Sequence, residues 1–531
     1  MKLSTFITKA LAVSAAMMAA ASCAPRAEVS LPELFSDGAV LQRGREITLE
    51  ASSAPGAKVT ARWRGKSYTV LADNEGRFTL AFPAGEAGGP FTLKVGNQKV
   101  EDVLVGDVYL CSGQSNVELP VRRCLDVVGE DIKGYSNEYI RYYAVPMAYS
   151  FGNQPSDVAG GKWETLDSEQ TVLSWSALCY FTARSLYEKT GVPVGMIRSA
   201  VGGSPIEAWM GENILPDYAL EQLEPFRSAG YADSLKTAAA RVYSDWGEKY
   251  NALPAADTVW KDVDVFSEGW ATDDKGDSYT GEHLLRKTLN LSKEEAAGDA
   301  VLHLGAIVDA DSVFVNGTYV GNTTYRYPPR HYKVPAGTLH EGGNLIEVHL
   351  YAYGHEGLAR FVKDKRYSLE TAADDIPLTE GWQHSYGKRM PARDREIFLQ
   401  YQPSGLFNAM IAPLASYRTD GVIWYQGESN EGNADLYEDL LEKMITDWRA
   451  VMNEDGLPFY VVELADYQHS DLPGSDTGWN RVQRAQKAVA EKMTGVHFVE
   501  NADLGEWNDI HPQDKKTLGE RISDEIMKQT E

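Results

Sequence analysis

The chain has 531 residues, enough for about three domains. Its 51 basic and 76 acidic residues leave a formal net charge of −25, which repels nucleic acid phosphates and sets that partner aside. The same charge would repel an anionic sugar, so an anionic substrate would need a local cation. A hydrophobic fraction of 43% and a charged fraction of 24% are those of a soluble globular protein.

Residues 1–23 read as an export signal. Lys2 and Lys9 supply positive charge, and Leu11 to Ala21 is an apolar run too short to span a bilayer comfortably. Ala20-Ala21-Ser22-Cys23 resembles a bacterial lipobox without the usual Leu three before the cysteine. Lipidation at Cys23, giving a membrane anchor, and ordinary cleavage nearby both stay open. The expected location is the periplasm or outer membrane of a Gram-negative bacterium. Export permits a disulfide. Cys111, Cys124 and Cys179 are three in number, so the pairing stays open, and Cys111 reads as a buried thiol.

Residues 29–103 predict a small β-sandwich. Short alternating runs such as Val59 to Trp63 and Phe91 to Val95 are separated by Gly, Pro, Asn and Asp. From Leu104 the pattern changes to strands alternating with helices. Val103 to Leu110 is the first strand, Ser174 to Lys189 a helix and Val192 to Val201 the second strand. This first α/β part is expected over 104–252. Residues 253–387 return to β, with Ser312 to Val315 and Leu345 to Leu350 as strands and Asn316-Gly317 as a turn. They predict a second sandwich inserted into the α/β unit.

The α/β rhythm resumes over 388–531. Gly405 to Tyr417 is expected as a helix, Gly421 to Tyr425 as a strand, and Asp435 to Val451 as an amphipathic helix. Phe459 to Leu464 and Val496 to Val499 are further strands; Trp479 to Lys492 and Asp514 to Met527 are helices. Five strands with helices between them predict one doubly wound parallel sheet.

Parallel strands share an orientation, so the segments after them should meet at one sheet edge, where such sheets bind ligands. Those segments are Gln114-Ser115-Asn116, Gly202-Gly203-Ser204, Gln426 to Asn430 and Asp509 to Pro512. Ser115 is the candidate nucleophile and His511 the candidate base. Asp509 would orient the imidazole, with Asp503 or a main-chain carbonyl as rivals. The backbone of Ser115, the backbone at Gly202 or Gly203 and the Gln426 amide are candidate oxyanion donors. Gln114, Asn116 and Glu428 belong to the same polar edge. No metal-ligand cluster, phosphate loop or dinucleotide fingerprint is present in the sequence, so no cofactor is expected.

SGQSN at Ser112 to Asn116, GGSPIEAW at Gly202 to Trp209, PSGLFNAMIAPL at Pro403 to Leu414, GVIWYQGESN at Gly421 to Asn430 and DIHP at Asp509 to Pro512 resemble the sialate O-acetylesterase family. The resemblance runs from about Leu31 to the end. It departs at Val117, where the family often has Met. It implies a flavodoxin-like, SGNH-hydrolase type of sheet. It also implies that the insert is a galactose-binding-like jelly roll. The implied activity is hydrolysis of O-acetyl esters of sialic acids. Acetylated xylan or another neutral glycan is the alternative substrate, and an inactive carbohydrate-binding surface lipoprotein the alternative from another class. Arg122, Arg123 and Arg198 are the candidate cations for a sialate.

Overall fold

The computed structural model describes residues 28–530, apart from 268, 274, 355–357, 395–396, 473 and 508. The export signal and Cys23 lie outside the described residues. Among the described residues, no helix is long and apolar enough to cross a membrane.

The central sheet is built on β1 (Gln98–Gly113), β2 (Asn137–Ala144), β3 (Val194–Ala200), β4 (Gly421–Tyr425), β5 (Phe459–Val462) and β6 (Val496–Val499). Its order is β6-β5-β4-β1-β3-β2, and every neighbouring pair is parallel. Trp163–Leu166 adds an antiparallel strand beside β2. Strands β4 and β5 are buried along their whole length, as is β1 from Val103 onward. That explains their continuous apolar runs: a parallel strand covered on both faces has no solvent side to make polar.

Among the helices of this α/β unit are α1 (Ala177–Thr190), α2 (Tyr437–Val451), α3 (Gly478–Lys492) and α4 (Lys515–Thr530). Helix α1 packs on α4, and α2 on α3. Ser176 caps α1 by accepting the Cys179 N–H, and Gly191 ends it in the left-handed region at φ 66°. Thr477 and Asn480 form a reciprocal capping box on α3.

The sheet has six parallel strands where the apolar pattern predicts five. The additional one is β2, whose Arg141 interrupts the apolar run; it is buried and paired with Asp102 at 2.8 Å. Tyr231–Ala252 is a helix with no buried residue, so it carries no apolar stripe for the sequence to display. Gly405 to Tyr417 is not one helix. It breaks into a five-residue wide turn, Phe407–Ile411, and a tight turn, Ala412–Leu414, in which Pro413 removes a backbone donor.

Two β-rich regions attach to the sheet. The amino-terminal one shares a strand with it: β1 pairs antiparallel with Gly88–Val95 in its first half and parallel with β3 and β4 in its second. The backbone therefore passes without a break through the junction expected near residue 103. The other region lies between Lys261 and Arg389. It has a six-stranded and a four-stranded sheet around a separate core that includes Leu285, Leu302, Val313, Val348 and Trp382. Cys111, Cys124 and Cys179 are free, buried thiols.

Candidate active site

Strands β1, β3 and β4 end level with one another. Gly113 is the register partner of both Ala200 and Tyr425. A Cβ on Gly113 would lie 2.0 Å from the Tyr425 carbonyl oxygen, and its φ is 137°, so only glycine fits this exit. The chain then turns through Gln114 into a four-residue helix, Ser115–Glu118. Ser115 faces a cleft of about 990 Å³ that is also lined by Gly202, Gly203, Gln114, Glu428 and His511.

His511 lies in the loop between β6 and α4, not at the strand end itself. It is buried, and its Nδ1 has no hydrogen-bond partner; Asp509 Oδ1 stands 3.6 Å away, beyond hydrogen-bond length. The same Oδ1 accepts the His511 backbone N–H at 2.8 Å. Asp509 Oδ2 accepts from Lys365 at 2.9 Å, a side chain contributed by the insert. Burial opposes the Asp509 charge, but its contacts with His511 and Lys365 outweigh it and hold the carboxyl at about 2. Burial pushes the imidazole below its ordinary value, and Asp509 opposes that shift. Tyr327, also from the insert, sets its ring perpendicular to that of His511 at 5.3 Å. Asp503 is elsewhere, in a two-pronged exposed pair with Arg521 at 2.6 and 2.7 Å. The geometry thus puts Asp509, not Asp503, beside the imidazole.

The candidate oxyanion donors separate into free and committed groups. Among the described residues, the backbone N–H groups of Ser115 and Gly203 make no hydrogen bond. Gly202 N–H is taken by Glu118 Oε2 at 2.6 Å. Glu118 Oε1 meanwhile accepts from Arg198 at 3.0 Å. Gly203 is forced by its surroundings: its φ is 75°, and a Cβ there would lie 2.2 Å from the Tyr401 hydroxyl, whereas a Cβ on Gly202 would meet nothing nearer than Glu118 Oε2 at 3.1 Å. Gln426 is a correction to the expectation from sequence. Its Nε2 is wholly buried and donates to Gln114 Oε1, Ser204 O and Asn430 Oδ1 at 3.1, 3.2 and 2.8 Å. Two N–H protons facing three acceptors leave nothing for an oxyanion. Gln426 instead ties three strand-end loops together.

Asn116 and Glu428 are buried under the serine turn and bonded to each other, Asn116 Nδ2 donating to Glu428 Oε1 at 2.7 Å. Burial raises the Glu428 carboxyl to about 7, against the pull of that bond. Arg122 and Arg123 line the cleft, and among the described residues neither makes an ion pair with a carboxylate. No group of three or more His, Cys, Asp or Glu side chains is placed to hold a metal ion among the described residues.

Sequence reasoning missed Glu118, Lys365, Tyr327, Tyr401 and Lys515. Glu118 was within reach, three residues after Ser115 and one helical turn along. Lys515 lies three positions after the end of the DIHP run. Lys365 and Tyr327 carry no local signal, because only the docking of the insert brings them to the loop of His511.

Residues 395–528 match the family described as carbohydrate esterase, sialic acid-specific acetylesterase. The sialate O-acetylesterase of Mus musculus is 33% identical over 496 residues, covering 86% of this chain and 64% of that protein. The sialate O-acetylesterase of Homo sapiens is 32% identical over 174 residues, 29% of this chain and 33% of that protein. The chain therefore spans less than two thirds of the length of these relatives. Among solved structures, a carbohydrate acetylesterase from Xanthomonas citri superposes with a TM-score of 0.55 at 23% identity, covering 93% of this chain and 74% of that one, and shares the mixed α/β fold. Residues 395–528 of this chain thus resemble the sialic acid-specific acetylesterases among the carbohydrate esterases, and the likeness to the Mus musculus protein extends over 86% of the chain.

Proposed function

We propose that this protein is a serine esterase that removes O-acetyl groups from sialic acids. The carrying observation is that Ser115 and His511 line one cleft at the level ends of β1, β3 and β4, with Asp509 against the histidine. Ser115 Oγ attacks the acetyl carbonyl while His511 takes its proton. The tetrahedral oxyanion is received by the backbone N–H groups of Ser115 and Gly203. His511 then returns the proton to the sugar oxygen, which leaves as an alcohol. Water, activated by the same imidazole, releases acetate from the acetyl-serine. Asp509 holds the ring and stabilises its charged form. The long Asp509–His511 separation is ordinary for a site without substrate, where such bonds tighten on binding.

Arg122 and Arg123 support an anionic substrate, as two cations lining the cleft of a strongly acidic chain. The central sheet is read as the flavodoxin-like, doubly wound sheet of the SGNH hydrolases. Residues 29–103 are read as a β-sandwich and 253–387 as a galactose-binding-like jelly roll. Export through residues 1–23, with an anchor at Cys23, belongs to the same proposal and is checked by fractionating cells.

The test measures acetate release from O-acetylated sialic acid and from acetylated xylan, with p-nitrophenyl acetate as control and Ser115→Ala alongside. Preference for the sialate supports the reading. Preference for xylan moves the substrate to neutral glycans, and inactivity on all three leaves a binding protein.

A further inference from the structure

His511 is gripped on both sides from beneath the site. Lys515 Nζ donates to the carbonyl of Pro512 at 2.8 Å and to Asn116 Oδ1 at 2.9 Å. Asn116 Nδ2 in turn donates to the carbonyl of Ile510 at 3.0 Å. Pro512 and Ile510 are the chain neighbours of His511, and Asn116 is the chain neighbour of Ser115. Lys515 is 1% exposed, and so is Asn116. We propose that Lys515 is a positioning residue for the Ser115–His511 pair, its ammonium fixing the loop that carries the imidazole to the turn that carries the hydroxyl. This rests on the reading of those two residues as nucleophile and base.

A role in stability alone accounts poorly for this lysine. Burying an ammonium is costly unless a carboxylate pairs with it. Both acceptors here are neutral, and among the described residues no carboxylate comes within ion-pair distance. An apolar side chain would fill the space at lower cost. The donor geometry accounts for a lysine, and it joins the two halves of the proposed reaction centre.

The lysine also gives the site a dependence on pH. It faces Glu428 and the Tyr425 ring from β4 and the segment after it, and Cys124 from the segment after the serine turn. Asp509, Glu506 and His511 face it from the loop before α4. Burial lowers the ammonium to about 8, and the surrounding acidic groups oppose that shift. Above that pH the charge is lost, and charge-assisted hydrogen bonds become weaker neutral ones. Turnover therefore declines on the alkaline side.

The test compares wild type, K515M and K515Q on p-nitrophenyl acetate from pH 6 to 10, corrected for the uncatalysed rate. K515M should lose roughly tenfold to a hundredfold in kcat, the scale of a small misplacement of reacting groups, with KM within about twofold. It should also lack the alkaline decline near pH 8. K515Q keeps neutral donors, so it should lose less kcat and also lack the decline. Should K515M fail to fold, K515Q decides on the same two readouts. Wild-type kcat in a folded variant, a decline that persists in it, or a wild-type profile flat to pH 10 would each overturn the inference. A dead Ser115→Ala beside an unaffected K515M sinks this inference alone; an inactive wild type, or an active Ser115→Ala, sinks the serine reading with it.

Discussion

Two of the buried histidine settings in this molecule, one in the insert and one at the cleft, differ in how fully they are satisfied. In the core of the insert, His283 Nδ1 meets His384 Nε2 at 3.0 Å, and His283 Nε2 meets the Tyr279 carbonyl at 2.9 Å. Burial drives both down, His283 to about 4 and His384 to about 3. They are neutral rings closed into packing. His511 is as buried, yet its Nδ1 has no partner within hydrogen-bond length, an ionised carboxylate waits at 3.6 Å, and the ring faces the cleft. A histidine completed by its neighbours has no proton to move. One left incomplete beside a carboxylate can accept a proton and be stabilised afterwards.

The largest effects should come from breaking the second setting. Ser115→Ala and His511→Ala should each lower kcat by at least roughly a thousandfold, because members of such a unit fail together. Both proteins should melt as wild type does if the cleft-facing groups contribute little packing. Retention of more than a per cent of activity by either would remove that residue from the reaction.

Next comes the carboxylate. Asp509→Asn should cost less kcat than His511→Ala, since the base is still present, while Asp503→Asn should be silent. The Asp503–Arg521 pair is exposed, and such pairs contribute about 0–1 kcal/mol. The pH dependence follows from the base. His511 must be neutral to act, and burial lowers it from 6.5, so kcat/KM should fall on the acid side only below about pH 6.5. An acid limb centred above pH 7 would contradict a buried, desolvated base.

Gln426→Ala separates two roles for one amide. An oxyanion donor would cost roughly a hundred- to a thousandfold in kcat with the melt unchanged. The hydrogen bonds argue for the opposite pattern. Truncation takes a donor from Gln114 Oε1, Ser204 O and Asn430 Oδ1; the first keeps the Ser429 N–H and the third the Ile206 N–H, so the Ser204 carbonyl bears the main loss, about 1–3 kcal/mol for a buried group left without a partner. A lower unfolding midpoint, weaker substrate affinity and kcat per folded molecule within about threefold are expected.

Gln426 also marks how far the sequence could be read. Strands buried on both faces announce themselves, so Gly421 to Tyr425 is found at its observed limits. The gathering of Ser115, Gly202 and Gln426 then follows from strand direction alone. What sequence could not supply is which N–H is free. That depends on acceptors hundreds of positions away, such as Gln114 for Gln426. Nor could it supply Lys365 and Tyr327, which reach the histidine loop only through docking of the insert. Arg141 hid β2 for a related reason: its partner Asp102 lies on another strand.

The smallest catalytic effect, and the sharpest contrast, should come from the insert. His384→Phe keeps a ring of similar volume but leaves the His283 Nδ1 acceptor without its donor, a loss of about 1–3 kcal/mol at neutral pH. Neither kcat nor KM should change, because no part of this pair faces the cleft. The sign of the pH effect follows from the depressed values. Each imidazole is neutral when folded and charges more readily when unfolded. The stability tied to neutrality is therefore fully present above pH 6.5 and is lost as pH falls toward about 4 for His283 and about 3 for His384. At pH 5 each imidazole accounts for a loss of about 2 kcal/mol. His384→Phe should therefore begin less stable at pH 7.5 yet lose less between pH 7.5 and pH 5 than wild type does. Denaturant unfolding at the two pH values, beside esterase assays at pH 7.5, measures both. A variant that lost activity while keeping its stability would tie the insert's core to the reaction and erase the distinction between the two histidine settings.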